Sequence, residues 1–543
     1  MQRKILSLAG VILTGSLLLT TQATAGESRQ QHLAKYLDQY WSADRVPAWQ
    51  CRHIPFASAL FLPHCMQADN VMYHLQMLQS IADANDGTRA AGLSGYEDSV
   101  SYIADTLTAV GYDVKLEPFD FKAFYEVGDG ELNAISPDAV SYVWDEDFSY
   151  MSQSEPGEVS ALVMAVDLEL GEGNASTSGC ESDDFADFVA GSIALVQRGS
   201  CTFQSKAENA AAAGAVGVII FNQGNSDDRS GLISGTLGSD YSGGVPVFFA
   251  TYENGVAWSQ TDGLEMTMKA DVVRELKTVN NIITESKWGD EDNVVMLGAH
   301  LDSVYDGAGI NDNGSGTAGI LELALLLKDA HTRNKIRFAW WGAEEAGLVG
   351  STEYVLGLSE EELAKLKVYL NFDMIASPNA YNGIYDGDGS TFELEGPAGS
   401  AAMEALFEQY FTVRGLPFEG SEISFRSDYA QFFEEGVAFG GLFTGAEEIK
   451  TEEQAELYGG VAGEAFDSCY HQSCDDINNL DLRTLEVHAD AIAYVVGILA
   501  NSTRLIDEEI EAADSEDETL MKTLSVNSSM TYDNTHWGKH WIK

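Results

Sequence analysis

Val294-Val-Met-Leu-Gly-Ala-His-Leu-Asp-Ser303 opens on four apolar residues and closes on an imidazole and a carboxylate two positions apart. A short, continuous apolar run of this kind reads as a buried strand. A carboxylate at the end of such a strand needs a compensating partner. The pattern recurs downstream: Ile336 to Trp340 leads into Trp341-Gly-Ala-Glu-Glu-Ala-Gly347, and Tyr369 to Phe372 leads into Asp373 of Asn371-Phe-Asp-Met374. Ala438 to Phe443 supplies one more strand, and helical spacing such as Ala318 to Leu327 lies between. Alternating strands and helices predict an α/β fold, with a mixed, largely parallel central sheet covered by helices on both faces. Chemistry in such sheets sits at the strand ends.

Two further segments join the set, Asp312 in Gly309-Ile-Asn-Asp-Asn-Gly-Ser-Gly316 and His471 in Cys469-Tyr-His-Gln-Ser-Cys474. Each piece alone is ordinary: His-x-Asp occurs as a structural hydrogen bond, Glu344-Glu345 suits a helix start, and Asp312 suits a turn. Together they make a metal-ligand inventory. Imidazole and carboxylate are the groups zinc takes in catalytic sites, and a pair of ions also needs a carboxylate able to bridge. The set His300, Asp312, Glu345, Asp373 and His471 suffices for two Zn²⁺ and leaves Glu344 for proton transfer.

This constellation resembles the secreted di-zinc aminopeptidases, the family of bacterial leucyl aminopeptidases, over most of the chain. The resemblance implies a zinc-exopeptidase fold in which His300 and Asp373 hold one ion, Glu345 and His471 the other, and Asp312 bridges. It makes Glu344 the general base toward a metal-bridged water, Asp302 the carboxylate that orients His300, and Tyr470 a hydrogen-bond donor to the developing oxyanion. Glu344 and Asp373 would hold the substrate's α-ammonium, with Arg426-Ser-Asp428 closing that end of the pocket; Tyr429 stands where many members carry His. The implied function is removal of bulky apolar N-terminal residues from peptides. A carboxypeptidase or amidohydrolase on the same metals is the alternative, although a carboxypeptidase would want several basic residues at its site. A catalytically dead, receptor-like module is the non-enzyme reading, and the complete ligand set speaks against it.

Composition sets the setting. Arg3 and Lys4, the apolar stretch Ile5 to Leu19 and Ala23-Thr-Ala25 read as a secretory signal over residues 1–25. Six cysteines in an exported chain suggest three bridges, and spacing favours Cys51 with Cys65, Cys180 with Cys201 and Cys469 with Cys474, other pairings remaining open. Against 30 Lys plus Arg stand 85 Asp plus Glu, a formal net charge of -55. Nucleic acid and anionic membrane surfaces are repelled by such a field. The expectation is a secreted, salt-tolerant monomer with peptides as partners.

At 543 residues the chain is too long for one core. Residues 69–131 and 272–505 read as the two pieces of the peptidase domain, opening with helical spacing through Val71, Leu75, Leu78 and Ile81. Between them, 132–271 has strand–helix–strand character in Gly191-Ser-Ile-Ala-Leu-Val-Gln-Arg-Gly199, the segment Cys201 to Gly214, and Ala215-Val-Gly-Val-Ile-Ile-Phe-Asn222. With Val245-Pro-Val-Phe-Phe-Ala250 it resembles the protease-associated domain and carries no metal or nucleophile set of its own. Residues 26–68 read as a propeptide or a packed lobe, and 506–543 as an acidic tail.

Overall fold

The computed structural model describes residue 51 and residues 53–520; the signal expected over 1–25 and most of the tail expected over 506–543 lie outside them. The strand entered at Val294 spans Asp290–His300 and lies inside an eight-stranded sheet. It pairs in parallel with Asn334–Trp341 on one side and Leu366–Phe372 on the other, and the latter pairs in parallel with Phe439–Phe443. Leu297 stands opposite both Phe338 and Leu370, so the chain leaves these strands at a common edge. Both faces of these strands are buried, as a parallel sheet under helices requires.

One flank is a long antiparallel ribbon, Val114–Glu126 against Val272–Glu285, and the other carries the short strands Gly383–Tyr385 and Glu419–Ser421. The helix Ala68–Ala84 buries Val71, Leu75, Leu78 and Ala82, a single stripe at helical spacing. Gly316–Leu327 is buried almost all round, which its Ile, Leu and Ala content allows.

The insert leaves the ribbon at its far end, where Glu126 pairs with Val272. It builds a second, nine-stranded sheet whose middle strands, Gly157–Ala165, Ile193–Gln197, Gly217–Phe221 and Val247–Ala250, run parallel over their own apolar cores. Its helix Phe203–Ala212 starts at Thr202, whose hydroxyl accepts the Ser205 amide at 3.2 Å. The three disulfides are Cys51–Cys65, Cys180–Cys201 and Cys469–Cys474.

Both ends of the described chain pack on the peptidase domain. The part of 26–68 that is described packs on the peptidase domain: Asn501 Nδ2 donates to Ala57 O at 2.7 Å and the His331 amide to Pro55 O at 2.9 Å. The acidic run expected as a tail from residue 506 is instead helical over Arg504–Leu520. Ile506 is fully buried, and Glu509 accepts the amides of Gly399 and Ala402 at 2.7 and 2.8 Å. Those contacts at the start of the helix Ser400–Arg414 tie the first turns to the domain.

Candidate metal centre

Four loops leaving the common sheet edge meet over Asp312. His300 Nε2 lies 3.1 Å from Asp312 Oδ1, 3.4 Å from Asp373 Oδ1 and 3.9 Å from Glu344 Oε2. His471 Nε2 lies 3.1 Å from Asp312 Oδ2 and 3.1 Å from Glu345 Oε2. One carboxylate thus presents its two oxygens to two separate clusters, and within each trio, His300–Asp312–Asp373 and Asp312–Glu345–His471, the donor atoms lie within 4.8 Å of one another.

The neighbours aim these groups. Asp475 accepts the amides of Asn311 at 2.8 Å and Asp312 at 3.0 Å. Ser427 Oγ donates to Asp373 Oδ2 at 2.6 Å and accepts from Asn371 Nδ2 at 2.8 Å, and Asn371 Oδ1 in turn accepts from Tyr369 OH at 3.0 Å. Asp302 lies behind His300 as expected for a residue that orients it: His300 Nδ1 is 3.1 Å from the backbone carbonyl of Asp302 and 3.7 Å from its carboxylate. That carboxylate accepts the amides of Glu344 and Glu345, each at 3.3 Å, because the Glu pair sits at a turn whose N–H groups lack backbone partners. Cys469–Cys474 closes the loop that holds His471 at a left-handed φ of 55°.

Burial opposes charge on every group here, so the net shifts show where charge is compensated. Burial would lower the His471 pKa, yet Glu345 and Asp312 push it up to about 10; in the same way Asp373 and Glu344 override burial and raise His300 well above its usual value. Burial raises Asp312, but hydrogen bonds from both histidines hold it below the normal carboxylate range. Burial also raises Glu344 and Glu345, against the pull of His300 on the former and His471 on the latter. Asp373 Oδ1 and Glu345 Oε1 are buried with no hydrogen-bond partner. Carboxylate charge exceeds what the imidazoles balance, and the orphaned oxygens sit one in each trio. The donor set, imidazoles among carboxylates with unpaired oxygens, fits zinc.

Residues 281–496 match the model of peptidase family M28, and residues 161–258 that of the PA domain. An aminopeptidase of Pseudomonas aeruginosa is 54% identical over 530 residues, 97% of this chain and 98% of that protein. The chain belongs to peptidase family M28. Leucine aminopeptidase 2 of Trichophyton rubrum is 40% identical over 82% of this chain and 86% of its own. Among solved structures, an aminopeptidase from Aneurinibacillus sp. strain AM-1 aligns at a TM-score of 0.61 with 25% identity, covering 80% of this chain and 94% of that one. The zinc aminopeptidase BSAP of Bacillus subtilis aligns at 0.55 with 26% identity over 79% and 94%.

In this M28 peptidase the centre opens into a chamber of about 530 Å³, within the range of small-molecule sites. Met374, Tyr385, Phe392, Phe443 and Phe466 make its apolar side; Glu419, Glu422, Glu447 and Glu448 add carboxylates to those of the centre. Arg426 is the sole Lys or Arg on this wall among the described residues, and it is engaged: Nη2 lies 3.0 Å from Glu447, Nη1 3.8 Å from Glu448, and Nη2 3.3 Å from Tyr470 OH. The Tyr470 ring lies tilted against His471, ring centroids 4.0 Å apart. Tyr429 does not reach into the chamber; it is buried, accepts the Phe425 amide at 2.8 Å and stacks on Phe439. Arg89 escaped the sequence reading. Fully buried, it donates to the carbonyls of Leu301, Ala308 and Gly309, pinning both ends of the loop between His300 and Asp312.

Proposed function

We propose that this M28 peptidase is an exported aminopeptidase that carries two zinc ions and removes bulky apolar N-terminal residues from peptides. The observation that carries the reading is the charge of the chamber: its carboxylates suit an α-ammonium, and its one guanidinium is already spent on Glu447 and Glu448. A substrate α-carboxylate would find no uncommitted Lys or Arg on this wall among the described residues, which disfavours a carboxypeptidase. The names of the relatives agree, and three disulfides support an oxidising compartment. No single helix among the described residues is long and apolar enough to cross a membrane.

His300 and Asp373 would hold one ion, Glu345 and His471 the other, and Asp312 both. When bound, zinc lowers the pKa of water toward neutrality and polarises a carbonyl oxygen. Glu344, buried and with its pKa raised by that burial, takes a proton from the attacking water at its carboxylate and returns it to the leaving amine. Arg426 donates to the Tyr470 oxygen and holds it beside the centre, where the phenolic hydroxyl would donate to the developing oxyanion. Ser427 fixes Asp373, and Asp302 fixes the Glu344–Glu345 backbone, so these carboxylates meet the α-ammonium without reorganising.

The test is a fluorogenic panel of free-amine and N-acetylated amino-acid amides with the zinc-loaded protein. Hydrolysis of Leu and Phe amides, with acetylated counterparts near background, is expected. Equal rates on blocked and free substrates would replace this reading with an amidohydrolase.

A further inference from the structure

Away from the zinc centre, a second set of carboxylates is gathered with no cation among them. Asp386 and Asp388 lie in Asp386-Gly-Asp-Gly-Ser390, and Glu404 lies on the helix Ser400–Arg414. One oxygen of each is within 4.8 Å of the others. Asp386 is fully buried: its Oδ2 accepts the amides of Thr391 at 3.0 Å and Phe392 at 2.7 Å, while Oδ1 is buried with no hydrogen-bond partner. Glu404 is buried too and accepts the Asp388 amide at 2.9 Å. Burial, joined by the charges of Asp388, Asp386 and Glu408 and opposed by that amide, pushes the Glu404 pKa up to about 7. Asp388 reaches the surface and leaves the cluster open on that side.

An orphaned, buried carboxylate oxygen beside two further carboxylates calls for a positive ion. The donors are all oxygen, which suits a hard cation and lacks the imidazole or thiolate that zinc selects. Oxygen donors spaced two residues apart in a glycine-containing loop, with a carboxylate supplied from a following helix, are a Ca²⁺ geometry more than a Mg²⁺ one, since Mg²⁺ demands a strict octahedron and keeps its water. We propose that Asp386, Asp388 and Glu404 form a structural Ca²⁺ site, separate from the zinc centre, that fixes the 386–392 loop against the substrate chamber. The loop is part of that wall. Phe392 lines the chamber beside Gly420 and Ser421, the Asp386 amide donates to Ser421 O at 3.0 Å, and a Cβ on Gly420 would lie 2.8 Å from Thr391 Oγ1. Ordering of the loop should therefore act on substrate affinity and leave the proton transfer alone.

The experiment is calorimetric titration of the zinc-loaded protein with CaCl₂ in high salt, which suppresses diffuse binding to an acidic surface. One saturable Ca²⁺ per chain is expected, with a dissociation constant in the range ~10⁻⁵–10⁻³ M and a Tm that rises with Ca²⁺. Glu404→Gln and, as a surface change that cannot compromise the core, Asp388→Asn should each weaken binding by at least about tenfold with zinc content unchanged. No saturable binding to the wild type, or wild-type binding by both variants, would overturn the site. Resting on the proposed activity, KM for a free amino-acid amide should fall with Ca²⁺ in the wild type and not in the variants, kcat staying level; saturable binding with an indifferent KM would overturn the role in the chamber wall. The binding and Tm measurements stand whether or not the enzyme proves to be an aminopeptidase.

Discussion

A buried arginine destabilises a protein unless its N–H groups find acceptors, and Arg89 finds them in three carbonyls 212 to 220 residues away. Nothing in Gly87-Thr-Arg-Ala-Ala-Gly92 announces this, because backbone carbonyls carry no sequence signature. The proposed metal ligands are different: His300, Glu345 and Asp373 each follow an apolar run, a contradiction that the sequence displays openly, while Asp312 and His471 stand out only once joined to them. Asp302 falls between, since its position was legible while its partners, two amides, were not. Arg89→Met would leave carbonyls unpaired, at ~1–3 kcal/mol each, on the loop that joins two zinc ligands. We expect a lower Tm and zinc loss to a chelator about 10–100-fold easier, with Arg89→Lys intermediate; zinc retention equal to wild type in the Met variant would leave Arg89 as a packing residue only. Glu344→Gln, by contrast, should keep both zincs by elemental analysis and lose ~10²–10⁴-fold in turnover. Near-normal turnover in that variant would remove Glu344 from the mechanism.

Strands and helices with one apolar period were read from the sequence to within a few residues, and elements held by a few buried atoms were not. The helix Arg504–Leu520 is the clear case: its acidic run looks like a solvated tail, yet two isoleucines and one capping glutamate dock it. Ile506 and Ile510, four residues apart and both on the core, were the only sign, and the surrounding charge hid it. The loop Cys469–Cys474 was legible because cysteine spacing is explicit. His471 sits there in a backbone conformation that costs a non-glycine residue free energy, so the loop needs external restraint. On the proposed pairing of ligands, replacing both cysteines by serine should therefore release the ion assigned to Glu345 and His471 under mild chelation while the other persists, taking zinc from two per chain to one. Asp312→Ala is expected to lose both. Retention of two ions by the serine variant would show that Asp312, Glu345 and Tyr470 hold His471 unaided.

A net charge of -55 opposes compaction of the whole molecule, and only salt screens it at long range; Tm should rise with NaCl up to about molar concentrations, and a flat or falling Tm would mean that the carboxylates are already compensated by bound cations. The insert poses the larger question. It departs and returns at Glu126 and Val272, which face each other across the ribbon, so its removal leaves two antiparallel ends that a short turn can join. Between insert and peptidase domain runs a cleft of about 620 Å³, walled by Gln153 and Thr236 of the insert and reaching Glu345 and His471. On the proposed activity, a peptide longer than one residue would continue from the centre into that cleft, whereas a single-residue amide needs the chamber alone. Excision of residues 127–271 should therefore leave zinc content and hydrolysis of a leucyl amide close to wild type and change KM for longer peptides. Insolubility would report instead the ribbon surface that the insert covers, and in that event Gln153→Ala with Thr236→Ala in the full chain isolates the cleft. A soluble, zinc-loaded excision variant that fails even on the small amide would show that the insert contributes directly to the active site, and its role as a wall for the distal substrate would have to be given up.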